Sequence, residues 1–140
     1  MTIASIMSRD VFRVTMEDSL WTIREIFNHA KFHHLLVVEK RKLVGVISDR
    51  DLLKALSPFV DTLSERDRDA STLNKRAHQI MGRRLVTVTG EASIEDAVSL
   101  LLEQEVSCLP VVSHGGSLEG IVTWRDLLRL CVRGNEVVGD

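Results

Sequence analysis

The sequence predicts an α/β (α+β) protein made of two β-α-β-β-α repeats packed sheet to sheet with pseudo-two-fold symmetry. Three observations lead there. The first is an internal repeat. Ile6-Met7 returns as Ile80-Met81, Val37-Val38 as Val111-Val112, and Gly45-Val-Ile-Ser-Asp-Arg-Asp-Leu-Leu as Gly120-Ile-Val-Thr-Trp-Arg-Asp-Leu-Leu. The offset is 74 residues until the turn containing Gly115-Gly116, and 75 after it. A repeat close to half of a 140-residue chain means two similar lobes, and any site should come as a pair. The second observation is patterning: short continuous apolar runs alternate with one-sided helical stripes. The third is that two neighbouring strands per repeat cannot cover their own sheet, so each lobe needs the other.

The elements follow in order. Val11 to Val14 reads as a short strand. Ser19 can cap a helix whose apolar positions are Leu20, Ile23, Ile26, Phe27 and Ala30. Leu35 to Val38 is a run suited to a strand buried on both faces. Lys40-Arg41-Lys42 makes a polar turn, and Leu43 to Ile47 is the next strand. Gly45 inside it marks close approach by another backbone or a ligand. A helix opens at Ser48, carries Leu52, Leu53 and Leu56, and is stopped by Pro58. The second repeat runs the same course. Ser93 caps a helix bearing Ile94, Ala97, Val98 and Leu101, strands cover Leu109 to Val112 and Leu118 to Val122, and Thr123 opens a helix with Leu127, Leu128 and Leu130. The expected domains are a first repeat at 1–57, a linker at 58–75, a second repeat at 76–135 and a tail at 136–140. The alternating charges of Ser64-Glu-Arg-Asp-Arg-Asp69 suit a solvated loop or short helical turn.

Composition excludes several classes. Hydrophobic residues at 44% can fill a core, and a net charge of −2 argues against a dedicated nucleic-acid binder. No apolar run approaches the ~18 residues of a membrane span. The N-terminus lacks the charged and apolar regions of a signal peptide, so a cytoplasmic location is expected. Cys108 and Cys131 form no CxxC and read as two reduced thiols.

Ser48-x-x-Asp51 and Thr123-x-x-Asp126 carry two compatible readings. Ser/Thr followed three residues later by an acid, before Leu-Leu, is a helix capping box. The same strand-to-helix junction exposes N–H groups and a positive dipole end that suit phosphate. A fixed carboxylate there can accept hydrogen bonds from both ribose hydroxyls, and Arg50 and Arg125 can each bond phosphate. There is no Gly-rich phosphate loop, nucleophile motif or acid/base carboxylate pair, so an enzyme is not expected.

On these residues both halves resemble cystathionine-beta-synthase (CBS) domains, and together they look like a tandem CBS pair, or Bateman module. The likeness covers about residues 3 to 57 and 77 to 133. It implies a regulatory module that binds adenine nucleotides or adenosyl ligands in clefts between the repeats and alters conformation or partner interaction. Candidate ligands are AMP, ADP, ATP, NADH and S-adenosylmethionine, with no cofactor required. The resemblance also implies a homodimer and a regulated partner protein. It assigns one pocket to Ile47, Ser48, Arg50 and Asp51 with Thr87, Val106, Ser107 and Cys108. It assigns the other to Val122, Thr123, Arg125 and Asp126 with Arg13, Phe32, His33 and His34. The aspartates would hold ribose, the arginines phosphate, and Ile47 and Val122 the base.

The sequence departs from the family pattern in its first repeat. The proline of the second strand is present as Pro110 but is Leu36 in the first copy, and the small polar residue kept as Thr87 is Arg13 there. Arg13 can grip a polyphosphate, fill the adenine space, or cover apolar surface. Trp124, where the first copy has Asp49, can stack on a ligand or pack at a dimer surface. His33 and His34 are adjacent and point to opposite faces of a strand, so they are not expected to chelate one metal. One of them beside phosphate can titrate near neutral pH. The competing expectation is an interaction or dimerisation protein whose clefts are vestigial.

Overall fold

A computed structural model of the chain describes residues 1–29 and 33–138, the last five as backbone. It resolves into two compact units, Phe12–Leu85 and Met1–Val11 with Val86–Asp140. The units cut across the sequence repeats. The linker belongs with the first repeat, and the N-terminal eleven residues belong with the second.

In the unit Phe12–Leu85 the elements are β1 (Arg13–Val14), α1 (Leu20–His29), β2 (His34–Glu39), β3 (Lys42–Ser48), α2 (Asp49–Ala55), α3 (Asp67–Ala70) and α4 (Ala77–Ile80). β1 pairs parallel with β2, and β2 pairs antiparallel with β3. β2 is apolar from Leu35 to Val38 because it is the central strand, with Leu35, Leu36 and Val37 wholly buried. Lys40 and Arg41 both take positive φ, 50° and 70°, the backbone of a two-residue hairpin turn that matches strand twist. α1 starts where Ser19 Oγ accepts the Thr22 N–H at 3.3 Å, and it buries Leu20 and Ile23 as its spacing requires. Ala30 of the expected stripe lies outside the described residues. α2 ends at Ala55, sooner than Pro58 demands, with the Leu56 N–H closing on the Leu52 carbonyl.

The expected short helical turn in the linker is present as α3, and although residues 61–68 are exposed the segment is tied down. Asp69 is 7% exposed, its Oδ1 accepting from Ser57 Oγ at 2.7 Å and its Oδ2 from the Arg66 N–H at 2.9 Å. Ser57 N donates to Thr72 Oγ1, Lys75 Nζ to the carbonyl of Ala55, and Arg24 pairs with Asp61 at 2.8 Å. These bonds fold the segment onto α1 and α2. Beyond it, Ala77 and Met81 enter the core of Val14, Leu20, Ile23, Leu35, Val37, Ile47 and Leu52.

The other unit holds α5 (Ile94–Gln104), β4 (Cys108–Val112), β5 (Leu118–Thr123) and α6 (Trp124–Val138), preceded by a 3₁₀ turn at Ile3–Ser5. Ser93 Oγ caps α5 through the Asp96 N–H at 3.1 Å. The N-terminal segment is tied in by Ile3 N to Ala92 O and Ala4 N to Gly90 O, both 2.9 Å, and by reciprocal Ser8–Ile121 bonds. Ile3 is wholly buried in the core of Val88, Ala97, Leu101, Leu109, Val111, Val122 and Leu127.

One expected strand is reduced here to a single parallel bridge, Val88 with Val111. The cause is Pro110. Val88 N donates to Pro110 O and Val112 N to Val88 O, but continuing the ladder upstream needs an N–H on residue 110. In the first repeat the equivalent N–H, that of Leu36, reaches the Phe12 carbonyl at 3.5 Å and the strand persists.

Both hairpins carry an irregularity at the same place, between Val37 and Val38 and between Val111 and Val112. It sits beside the strand glycine. A Cβ on Gly120 would lie 2.6 Å from the Ser8 carbonyl and 2.9 Å from Met7 Sδ, and one on Gly45 would run into the Met81 thioether. Each Ile-Met segment therefore packs on the hairpin of the opposite repeat.

Candidate functional site

The two strand-to-helix junctions are the duplicated polar feature. At the first, Ser48 is extended and caps α2. Its Oγ accepts the Asp51 N–H at 3.1 Å, and Asp51 Oδ2 accepts the Ser48 N–H at 2.9 Å. The expected capping box is thus present in both directions. At the second, Asp126 Oδ2 accepts the Thr123 N–H at 2.8 Å and the Thr123 hydroxyl at 3.2 Å. Arg129 Nη1 lies 3.5 Å from Asp126 Oδ1. Arg50 and Arg125 are exposed on the first turns of their helices.

Each junction also meets the start of the preceding strand in its own repeat. Asp49 N donates to the His33 carbonyl at 3.0 Å, and Trp124 N donates to the Ser107 carbonyl at 3.3 Å. His34 is opposite Ser48 in the ladder, and Cys108 is opposite Thr123. The first unit therefore brings His33, His34, Ser48, Asp49, Arg50 and Asp51 to one end of its hairpin. The second gathers Ser107, Cys108, Thr123, Arg125 and Asp126. Thr87 and Val106 are half-buried in that second unit, and Arg13 is exposed on β1 of the first. Phe32 lies outside the described residues.

The electrostatics follow from these neighbours. A hydrogen bond from His33 Nδ1, 3.0 Å from Asp49 Oδ2, holds the Asp49 carboxyl below its ordinary range. Burial makes His34 harder to protonate, and the carboxylates of Asp49 and Asp51 oppose that shift only in part. Burial also pushes the Cys108 thiol up to about 11, so it is not a thiolate nucleophile at neutral pH. Cys131 is exposed, and neither cysteine is in a disulfide. Ile47 and Val122 are wholly buried members of the two cores, so their side chains serve packing first. Among the described residues no group of His, Cys, Asp or Glu is placed to hold a metal ion. Among them, too, no helix is long and apolar enough to cross a membrane.

Two features had little trace in the sequence. The His33–Asp49 pair joins residues 16 apart and exists only because the hairpin brings the ends of β2 and β3 together. Arg129 sits three residues after Asp126, a helical spacing that could have flagged the ion pair.

Comparison with known proteins agrees with this architecture. The CBS domain family matches residues 3–58 and 77–133. A CBS domain-containing protein of Dictyostelium discoideum is 32% identical over 138 residues, covering 97% of this chain and 94% of that protein. Inosine-5'-monophosphate dehydrogenase of Korarchaeum cryptofilum is 32% identical over 123 residues, but the chain spans only 23% of its length. Among solved structures, CBSX2 in complex with AMP is 29% identical with a TM-score of 0.78, covering 94% of this chain and 96% of that one. The repeat, the two hairpin-and-helix junctions and these matches together place the chain in the CBS-domain family, as a pair of such domains.

Proposed function

We propose that this chain is a regulatory module that senses adenine nucleotides or related adenosyl ligands and performs no chemistry of its own. The observation that carries the reading is the duplicated junction. In each copy a carboxylate is fixed at a helix start by the backbone of its own cap, beside an exposed arginine. A carboxylate held in this way is preorganised to accept ribose hydroxyls, and the arginine supplies a charge-assisted bond to phosphate. A relative of similar length, 29% identical, was crystallised with AMP, which favours an adenosine group over other ribosides.

In this reading Asp51 and Asp126 bind ribose, and Arg50 and Arg125 bind phosphate. The family resemblance adds Thr87, Val106, Ser107 and Cys108 to the Asp51 ligand, and Arg13, Phe32, His33 and His34 to the Asp126 ligand. Binding shifts the protein between arrangements only by its differential affinity for them. A ligand at 100 times its dissociation constant adds about 2.7 kcal/mol, enough to reset a balance of that size and so to signal to a partner.

A thermal-shift panel of AMP, ADP, ATP, NADH and S-adenosylmethionine tests this. At least one should raise the melting temperature in a dose-dependent way. No shift with any of them would overturn the reading and leave a protein that only dimerises or docks. Asp51→Ala should weaken AMP more than Asp126→Ala does, because the second carboxylate is already shared with Thr123 and Arg129. Calorimetry giving equal losses, or the reverse order, would reject that ranking.

A further inference from the structure

The two junctions match in sequence but not in how they are satisfied. In the first, the Ser48 hydroxyl accepts from the Asp51 N–H, which leaves its own hydrogen to donate elsewhere. Asp51 gives one oxygen, Oδ2, to the cap. In the second, the Thr123 hydroxyl donates to Asp126, so its hydrogen is used within the junction. Asp126 Oδ2 takes two bonds, and Oδ1 faces the Arg129 guanidinium at 3.5 Å. Lys54 stands at the position equivalent to Arg129, and among the described residues Asp51 has no counterpart of the Arg129 ion pair, the charge near it being that of His34. Asp126 is also the sheltered partner of its pair, 15% exposed against 67% for Arg129. The outer oxygen of Asp126 is therefore covered by a movable, solvated cation and not by fixed structure.

From this, and resting on the nucleotide reading above, we infer that Arg129 is a specificity-determining latch on the second junction. A ribose that takes Asp126 must displace the guanidinium. A phosphorylated nucleoside offers the freed arginine a new anion, and a neutral nucleoside does not. The second junction thus discriminates for phosphate through a residue outside the repeated motif, whereas the first binds ribose without that demand. Arg129 acts through Asp126 and is a positioning residue. Its leverage is bounded by the worth of an exposed ion pair, so the effect is a several-fold change in affinity.

The test isolates the second junction by Asp51→Ala and compares AMP with adenosine by calorimetry, with Arg129 intact, as Arg129→Ala and as Arg129→Lys. Arg129→Ala should tighten adenosine about two- to fivefold and shrink the preference for AMP over adenosine. Arg129→Lys should restore the preference in part, which a merely structural role would not do. Should Asp51→Ala remove all measurable binding, adding Arg129→Ala should recover adenosine binding. An unchanged ratio of the two affinities, or adenosine bound no better without Arg129, overturns the latch while the nucleotide reading stands. Failure of the unmutated protein to bind either ligand overturns the nucleotide reading itself, and the latch with it.

Discussion

Gly45 and Gly120 hold the same place in the two hairpins but face different obstacles. A methyl at 120 meets the fixed Ser8 carbonyl at 2.6 Å, whereas one at 45 meets the side chain of Met81, which can rotate away. Gly120→Ala should therefore lower stability by about 3 kcal/mol and Gly45→Ala by about 1 kcal/mol. Urea unfolding of the two variants checks this, and equal losses would refute it. Gly45 was legible in the sequence as a site of close approach, since a strand glycine often marks one, and Gly120 holds the same place in the repeat. What approaches them was not legible, because it comes from the opposite repeat. The carboxylates of Asp51 and Asp126 were likewise legible as cap partners, since their spacing from Ser48 and Thr123 is local. Their differing engagement was not, because hydroxyl orientation and the Arg129 contact depend on side-chain geometry.

Among the elements, the helices and hairpins follow their sequence patterns closely, and where the structure differs the cause is physical. Pro110 removes the N–H that a longer parallel strand would need. The linker, polar and charged, reads as a solvated loop or short helical turn, and the structure forms the turn as α3 and anchors it through Asp69. Its carboxylate satisfies Ser57 and Arg66 at once and ties the segment to the chain just after α2. The Ser57 hydroxyl first, and then the Arg66 N–H, hold the Asp69 carboxyl below its ordinary range. A carboxylate lowered in the folded state adds stability that is fully present above its unfolded pKa. That contribution is lost as pH falls through the folded value. Melting temperatures taken from neutral pH downward should show the native protein above Asp69→Asn at neutral pH. The gap should close only below the ordinary carboxylate range. A gap independent of pH would mean that Asp69 matters only for packing.

For the whole molecule, the apolar helix faces left uncovered are the main expectation still to be met. Leu52 and Leu127 are buried, but Leu53 on α2 is 72% exposed and Leu128 on α6 is 58% exposed, with Trp124 and Val132 beside it on α6. Exposed apolar patches of this kind mark interfaces, and a self-complementary patch gives a dimer. Light scattering at micromolar concentration should return twice the 15.7 kDa chain mass, and the monomer mass alone would reject a homodimer. If a ligand draws on both repeats, as the family resemblance implies, nucleotide should protect amides at 48–53 and at 86–88 together. Hydrogen exchange slowed in one repeat alone would leave a local site.

By itself the sequence determined what local chemistry can encode: the duplication, the alternation of buried strands and one-sided helices, the caps at Ser48 and Ser93, and the paired Ser/Thr-x-x-Asp junctions, although at the second the Thr123 hydroxyl donates to Asp126 and completes no capping box. These depend on spacing and on residue type. Only the tertiary structure decided how the chain is shared out. Ile3 and the 1–11 segment complete the core of the second repeat, and Ala77 and Met81 complete the core of the first. The reason is that each Ile-Met segment carries the same apolar pattern and could cover either hairpin. Which hairpin each covers is seen in the contacts of Met81 with Gly45 and of Met7 and Ser8 with Gly120, between residues far apart in the chain that no local pattern records.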